Sequence, residues 1–281
     1  MSWNNIGEGK AVTKESELEI AKKKVQDRIS KLQARHRANL CTLIYGEAKT
    51  GKSGICLDCR TPEEIENGTI IMVLDFDNGS EPTWRTNWDS DPTIEILNPI
   101  VRDEEGYPNL EETIRLAEAF IAIAKDRINE GKSVKFIFDG VDRWLRLCFL
   151  VMTEDKRSTQ AKFLPVLWGN RNKVYEDLME KITDGLECDR FFITHMKEVY
   201  EGINNPTPTG KVPNLRSSTM DKMNEVVEIS RKDIGKKSEY TARIQDSKRQ
   251  PALINKEYKF LTVENGNVEW KSIAVIQEGL L

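Results

Sequence analysis

Short apolar runs alternate with amphipathic stretches along most of the chain. The apolar runs are rich in β-branched residues and end at polar or glycine positions, as buried strands do. They lie at 40–45, 68–77, 93–99, 134–140, 190–195 and 226–231. Stretches with apolar residues three or four positions apart predict helices at 52–59, 110–130, 172–186 and 217–225. Repeated strand–helix–strand units predict an α/β fold, with a mostly parallel sheet flanked by helices.

The two ends of the chain and two internal stretches depart from this alternation. Residues 14–38 predict a charged helix with one apolar side, which packs either on the core or on another protomer. Residues 239–275 alternate like antiparallel strands, with a turn at Asn265-Gly266. Loops are predicted at 81–92, which contains tryptophan and proline, and at 203–214, which is rich in proline, glycine and asparagine. We expect an N-terminal segment and helix (1–38), a core (39–238) and a C-terminal strand extension (239–281).

Composition narrows the possible functions. The chain of 281 residues is long enough for one α/β domain with a substantial core. Its net charge of −4 means that any contact with nucleic acid must use a local basic patch. The five cysteines show no disulfide framework, and Cys56 and Cys59 lack the further ligands of a zinc site. Without a membrane-length apolar run or a signal peptide, we expect a cytoplasmic protein.

A phosphate-binding motif carries the main chemical signal. Residues 46–53, GEAKTGKS, match GxxxxGK[ST] between an apolar strand and a helix. In such a loop, backbone N–H groups and the helix N-terminus point toward the anion. Lys52 is expected to reach the β- and γ-phosphates of ATP, and the Ser53 hydroxyl to bind Mg²⁺. The residues expected to bind ATP are Gly46, Glu47, Ala48, Lys49, Thr50, Gly51, Lys52, Ser53 and Gly54.

An acidic residue at the end of a second strand is expected to complete the metal site. Asp139 ends the apolar run 134–139 and is expected to hold Mg²⁺ through a water molecule. AAA-type and packaging motors often place a glutamate directly after this aspartate. Here that position is Gly140, so the acid that activates water must come from elsewhere.

Six segments now indicate a family, because they occur in the order found in RecA-like ATPases of phages and archaeal viruses. They are GEAKTGKS, LDFDNGS, FIFDG, LWGNRNKVYEDLMEKI, FFITHMKEVYEG and RSSTMDKMNEVVEI. Over about residues 40–255, the sequence resembles the Sak-type single-strand annealing ATPases, which are related to RecA, RadA and DnaB-type proteins. The resemblance implies a RecA-like core that hydrolyses ATP with Mg²⁺ and acts on single-stranded DNA in recombination, annealing or replication.

The same resemblance implies roles for two further residues. RecA-class proteins place a catalytic glutamate at the end of the second strand, where this chain has Asp77. Asp77 would orient the attacking water, unless it and Asp75 are only turn residues. His195 ends a later strand and would sense the γ-phosphate, although a lone histidine is also a common structural residue. Glu81 and Asp142 are reserve candidates for the acid.

The resemblance also implies oligomerisation. Lys248 and Arg249 end a late strand and resemble the basic pair that RecA-class oligomers insert into a neighbour's ATP site. A solvated basic pair is the alternative, and Arg243 is a reserve. The expected assembly is a homo-oligomeric ring or filament.

Basic and aromatic residues in two stretches are suited to single-stranded DNA, because base stacking is tolerant of sequence and phosphates need cations. The first stretch contains Lys156, Arg157, Lys162, Phe163, Trp168 and Arg171, and the second contains Lys197, Lys211 and Arg216. The alternatives to a recombination ATPase are a helicase-like or packaging motor, a nucleotide or small-molecule kinase, and a non-catalytic ATP-binding regulator. If the source is viral, the expected location is the host cytoplasm.

Overall fold

The computed structural model describes residues 14–34, 39–88, 91–152, 165–201 and 207–271. The chain divides into two compact units, residues 1–38 and 39–281. In the first unit, helix α1 spans Lys14–Ala34. The helix exposes the side chains of Leu18, Ile20, Val25 and Ile29.

The second unit contains the other helices and all the strands of the described residues. Its helices are α2 (Lys52–Leu57), α3 (Pro62–Glu66), α4 (Ser80–Asn87), α5 (Leu110–Asn129), α6 (Val141–Leu147), α7 (Pro165–Thr183) and α8 (Ser217–Asp221), with 3₁₀ turns at Cys148–Met152 and Pro251–Leu253. The strands are β1 (Cys41–Gly46), β2 (Ile70–Asp75), β3 (Ile94–Leu97), β4 (Val134–Asp139), β5 (Asp189–Glu201), β6 (Thr207–Pro213), β7 (Glu225–Ile234), β8 (Lys237–Ser247), β9 (Glu257–Glu264) and β10 (Asn267–Trp270).

These strands form one sheet in the order β10-β9-β8-β7-β1-β5-β4-β2-β3, and β6 pairs with β5 off this path. The six strands from β7 to β3 are parallel. Strands β8, β9 and β10 extend the sheet as an antiparallel meander. The predicted fold class, a mostly parallel sheet flanked by helices with antiparallel C-terminal strands, is therefore confirmed.

Helices cover both faces of the sheet, which explains why the central strands are predominantly apolar. All six residues of β1 and all six of β4 are buried. On one face, the ring centroid of Phe76 is 5.2 Å from that of Phe138 and 5.3 Å from that of Trp144. These rings belong to a cluster that includes residues of α5, α6 and α7. On the other face, α2 and the meander enclose a second cluster.

All five cysteines are buried and none is in a disulfide. Cys56 lies in α2 and Cys59 just after its end, and neither is exposed to solvent. Burial raises the pKa of Cys59 to about 12, so its thiol stays protonated near neutral pH. These cysteines pack as apolar side chains, as the sequence indicated.

Two elements differ from the sequence-based expectation. Residues 80–87 form α4 although Pro82 falls within them, because proline is tolerated in the first turn, where its missing N–H has no intrahelical partner. Strand β6 forms in a stretch predicted to be a loop, since a peripheral strand tolerates proline where no backbone N–H is required. In addition, α7 begins at Pro165 rather than near residue 172.

The C-terminal meander curls over α2. Its last turn is at Asn265-Gly266, with φ values of 50° and 85°, as the asparagine–glycine pair predicted. Trp270 then packs against the first turn of α2, where a Cβ added to Gly54 would lie 2.2 Å from the indole ring. A larger residue at position 54 would displace this tryptophan.

In the ranges that the structure describes, no helix is both long enough and apolar enough to cross a membrane.

Candidate functional site

A cavity of about 380 Å³ lies at the carboxyl ends of the parallel strands, where α/β proteins commonly bind ligands. The strand register brings Gly46 level with His195, and Asp75 level with Asp139. The cavity is lined by Lys49, Thr50, Gly51, Lys52, Ser53, Gly54, Asp77, Gly79, Thr83, Asp139, His195, Tyr240, Leu261 and Trp270. Six of the nine expected phosphate-loop residues are among them, whereas Gly46, Glu47 and Ala48 are not part of the lining.

Lys52 is the buried cation of the cavity. Its ammonium group donates hydrogen bonds to the carbonyl oxygens of Gly46 (3.2 Å) and Glu47 (2.6 Å). The Thr50 hydroxyl donates to the Glu47 carbonyl as well, at 2.9 Å, so the loop is held by its own side chains. Burial lowers the pKa of Lys52, and nearby Asp139 opposes this shift.

Asp139 is the acceptor of two hydroxyl groups. Ser53 Oγ and Ser80 Oγ each donate to Asp139 Oδ2 at 2.7 Å. Strand β5 separates β1 from β4, yet the two expected metal-binding side chains, Ser53 and Asp139, are in direct contact. Burial, helped by Asp75, raises the pKa of Asp139 to about 6.

This donor set fits Mg²⁺ bound together with nucleotide phosphates. Within the described part of the chain, no group of three or more His, Cys, Asp or Glu residues is arranged to hold a metal ion. Mg²⁺ is usually held by one or two protein oxygens, with phosphate and water oxygens completing its shell. A hydroxyl from Ser53 and a carboxylate from Asp139 provide such oxygens.

Asp75 and Asp77 have different surroundings although both follow the same strand. Asp75 is buried and accepts backbone N–H groups from Asp77 (3.1 Å), Gly79 (3.4 Å) and Ser80 (2.9 Å). It therefore shapes the turn that leads into α4. The Asp77 side chain is 41% exposed and lines the cavity. Of the two acids, Asp77 is thus the one able to meet a ligand.

Gly140 shows why the position after Asp139 carries no acid. Its φ of 95° lies in the left-handed region, which strains any residue with a Cβ. A Cβ placed there would lie 3.0 Å from the Asp77 backbone nitrogen and 3.2 Å from the Asp77 Cβ. The close approach of the Asp77 turn thus excludes a glutamate at position 140.

His195 lies between two acids at the edge of the cavity. Its Nδ1 is 3.2 Å from Asp142 Oδ2, and its Nε2 is 4.0 Å from Asp77 Oδ2. Asp142 is in α6 and His195 is in β5, so the two elements fix the ring between them. Of the two reserve acids, Asp142 therefore contacts the site, because it pairs with His195. Glu81 is exposed and instead forms an ion pair with Arg85 at 2.8 Å.

The Asp142 contact is expected to control the protonation of His195. The hydrogen bond that His195 Nδ1–H donates to the Asp142 carboxylate raises the pKa of His195 above 6.5. Burial and Lys52 oppose this shift, and Asp142 and Asp77 support it through their charges. The contact between His195 and Asp142 therefore stabilises the folded state fully below pH 6.5, the ordinary pKa of histidine. This contribution is lost as the pH rises through the higher pKa of His195 in the folded protein. Replacing Asp142 with asparagine is expected to lower that pKa.

An NMR pH titration of the imidazole signals measures this effect. The chain has two histidines, so His36→Gln assigns the remaining signal to His195. Equal His195 pKa values in the wild type and in Asp142→Asn would contradict the assigned pairing.

Lys248 and Arg249 lie at the opposite edge of the sheet. The Lys248 backbone N–H donates to the Asn224 carbonyl (2.8 Å), and Asn224 N–H donates to the carbonyl of Cys41 at the start of β1 (2.7 Å). The phosphate loop follows the other end of β1. The pair is therefore remote from the phosphate loop of its own chain, and the predicted contribution to an ATP site would have to be made in a neighbouring protomer. The reserve Arg243 lies within β8, where its guanidinium donates to Asn255 at 3.1 Å.

The residues considered for DNA binding are in different environments. Arg171 is buried, and its guanidinium carbon lies 4.2 Å from the Phe149 ring centroid and 5.2 Å from that of Trp168. Arg171 therefore packs in the protein rather than presenting its charge to solvent. Arg216 pairs with Glu176 at 2.7 Å. Lys156, Arg157, Lys162 and Phe163 lie outside the described residues.

The hairpin formed by β5 and β6 exposes Lys197 and Lys211 beyond the edge of the parallel sheet. Lys211 also forms an ion pair with Glu47 of the phosphate loop. This contact connects the hairpin directly to the loop.

Sequence reasoning missed Ser80, which donates to Asp139, and several residues that line the cavity. Ser80 was not considered because its helix was predicted to be a loop, although its place shortly after a strand-ending acid was a usable signal. Tyr240, Leu261 and Trp270 come from the C-terminal meander, and no local pattern places them at the phosphate loop. The strand order, the phosphate loop and the strand-end acids together define an α/β fold with a phosphate-binding loop at the carboxyl ends of its parallel strands.

Comparison with solved structures finds distant similarity. A KaiC-like protein from the hyperthermophilic archaeon Pyrococcus horikoshii matches with a TM-score of 0.47 and 11% identity, over 83% of this chain and 89% of that one. The RadB recombinase matches with a TM-score of 0.46 and 9% identity, over 87% and 96% respectively. No protein-family model matches the sequence, and no curated protein matches it. The chemistry of the site is therefore derived from its own residues.

Proposed function

We propose that this protein is a Mg²⁺-dependent ATPase that acts on single-stranded DNA in recombination, annealing or replication. The observation that supports ATP hydrolysis is the convergence of five side chains on one cavity. These are Lys52, Ser53, Asp77, Asp139 and His195. They supply a buried cation, metal-binding oxygens and a carboxylate that reaches the cavity, which phosphoryl transfer to water uses, together with an imidazole beside that carboxylate.

Each side chain has a task in this mechanism. Lys52 leaves the carbonyl oxygens of its own loop to neutralise the phosphates, while the backbone N–H groups of 49–54 bind phosphate oxygens. Ser53 and Asp139 would hold Mg²⁺, and the bound ion would neutralise charge on the phosphates. Asp77 orients the attacking water and accepts its proton. His195, whose pKa is raised by Asp142, is placed to sense a γ-phosphate beside Asp77.

The proposed action on DNA rests on the sequence resemblance and on the β5–β6 hairpin. His195 lies in β5, the same strand that continues into the hairpin, and Lys211 of the hairpin pairs with Glu47. A nucleic acid that binds the exposed lysines would compete with Glu47 for Lys211. DNA binding would thereby change the phosphate loop. Lys248 and Arg249 would supply charge to the site of a neighbour in a homo-oligomer.

Steady-state ATP hydrolysis, measured over a range of protein concentrations, tests this function. We expect turnover to require Mg²⁺, to increase with single-stranded DNA, and to rise more than linearly with protein concentration. ATP binding without any turnover would contradict hydrolysis and favour a nucleotide-binding switch or a kinase. Turnover that ignores DNA would contradict the role on DNA, and a strictly linear dependence would contradict the contribution from a neighbouring protomer.

A further inference from the structure

We propose that Tyr240, Leu261 and Trp270 form the subsite for the nucleobase of the bound nucleotide. This inference deepens the proposed function, since it rests on a nucleoside triphosphate occupying the phosphate loop. The three residues line the same cavity as Lys52 and Ser53. None of them belongs to the strands that carry the phosphate loop or the acids.

The cavity has two chemically distinct parts. One part carries the charged groups Lys52, Asp77, Asp139 and His195, which suit phosphates, metal and water. The other part is lined by two aromatic rings and a leucine from β8, β9 and β10. Since β4 and β5 lie on one side of β1 in the sheet and β8 and β9 on the other, the charged and apolar residues come from opposite sides of the phosphate-loop strand. A nucleotide has the same division between a polyanion and a flat apolar ring.

The aromatic part lies close to the phosphate loop. A Cβ at Gly54 would be 2.2 Å from the Trp270 ring, and a Cβ at Gly51 would be 3.6 Å from the Tyr240 ring. Gly51 and Gly54 flank Lys52 and Ser53, so the two rings border the residues expected to contact phosphate and metal. A base attached through its ribose to phosphates in this loop lies within reach of the rings.

Trp270 is held in place by its surroundings. Its ring centroid is 5.5 Å from that of Trp88 and 6.2 Å from that of Phe260, and its Nε1 donates to Asn87 Oδ1 at 3.4 Å. The Tyr240 ring is also packed, with its centroid 6.3 Å from that of Phe260. Fixed aromatic rings bind a base with little loss of side-chain freedom.

The chemistry of this part predicts weak discrimination between bases. Stacking is available to every base, whereas discrimination requires hydrogen-bonding groups directed at the edge of the ring. The indole N–H of Trp270 is already bonded to Asn87, and Leu261 offers no side-chain polar atom. The remaining polar group of the three residues is the Tyr240 hydroxyl, which can both donate and accept and so does not select one base edge. We therefore expect ATP and GTP to bind with affinities within about tenfold of each other, with base stacking supplying most of the contact.

Binding of ATP and of inorganic tripolyphosphate to the full-length protein distinguishes the two parts of the cavity. We expect Trp270→Ala to weaken ATP binding by about tenfold or more and to leave tripolyphosphate binding unchanged, since stacking is lost and phosphate contacts remain. Trp270→Phe is expected to retain most of the ATP affinity. Tyr240→Ala provides a second, independent variant, which decides the question if Trp270→Ala does not fold by circular dichroism.

The outcomes separate the subsite from the proposed function. A wild-type protein that binds neither ATP nor tripolyphosphate overturns the proposed function itself. Wild-type binding of both, with Trp270→Ala and Tyr240→Ala weakening neither ligand or both equally, overturns the subsite while leaving the phosphate site intact. Selective loss of ATP affinity, with tripolyphosphate affinity retained, supports the subsite.

Discussion

Replacement of Lys52 by alanine is expected to reduce ATP hydrolysis by about 10²–10³-fold and to weaken ATP binding as well. Removing one positioned group that stabilises transition-state charge commonly has an effect of this size. Lys52 is only 6% exposed, so its charge acts in a cavity with little water to screen it. No other described lysine donates to the phosphate-loop carbonyls of Gly46 and Glu47.

The measurement is kcat and KM for ATP in the wild type and in Lys52→Ala. Lys125→Ala is the matched control, because Lys125 is exposed on α5, on the other face of the sheet. Its activity is expected to equal that of the wild type. A Lys52→Ala protein that folds and retains at least a third of the wild-type rate would show that the loop does not bind the reacting phosphates.

The core of this fold was predictable because its strands carry the signal locally. Strands β1 and β4 are buried on both faces, so each is mostly apolar, with Thr42 and Lys135 as the exceptions before the functional residue at its end. The phosphate loop follows from one such run, and Asp139 ends the other. The contact between Ser53 and Asp139 at 2.7 Å follows from parallel strands whose carboxyl ends share one edge.

Local patterns failed where tertiary contacts decide the outcome. In the sequence, Pro82 of α4 and the prolines of β6 indicate loops. In the structure, each proline lies where its missing backbone N–H would have no hydrogen-bond partner within the element, so the helix and the strand can form. Trp270 gives no sign that it packs on Gly54, because β10 reaches α2 only through the curl of the meander. The aromatic part of the cavity could therefore not be predicted from local sequence patterns.

The acids illustrate the same limit within one short segment. Sequence shows Asp75 and Asp77 two positions apart and cannot say which meets a ligand. The turn determines which acid meets a ligand. The Asp75 carboxylate accepts hydrogen bonds from three backbone N–H groups, whereas the Asp77 side chain lines the cavity. Likewise, the Asp142–His195 contact joins α6 to β5, and no spacing along the chain encodes it.

Replacement of Asp77 by asparagine is expected to reduce kcat for ATP hydrolysis by about 10²–10⁴-fold, the usual contribution of a general base. ATP affinity is expected to change little, because asparagine keeps the shape of the side chain and Asp77 is not assigned to the phosphates or to Mg²⁺. What asparagine lacks is the charged carboxylate that accepts a proton. Asp77 is 41% exposed, so the folded state should also tolerate the change. Single-turnover hydrolysis and equilibrium ATP binding together separate the chemical step from binding.

Asp75→Asn is the matched comparison, since it makes the same chemical change two residues away. Asp75 is buried and accepts backbone hydrogen bonds, so this variant is expected to lower the thermal unfolding temperature. Asp77→Asn should leave that temperature nearly unchanged. Asp77→Glu keeps the carboxylate and is expected to recover part of the rate. If Asp77→Asn hydrolyses ATP within threefold of the wild type, Asp77 is not the base. Asp142, which contacts His195 at 3.2 Å, would then be the acid to test.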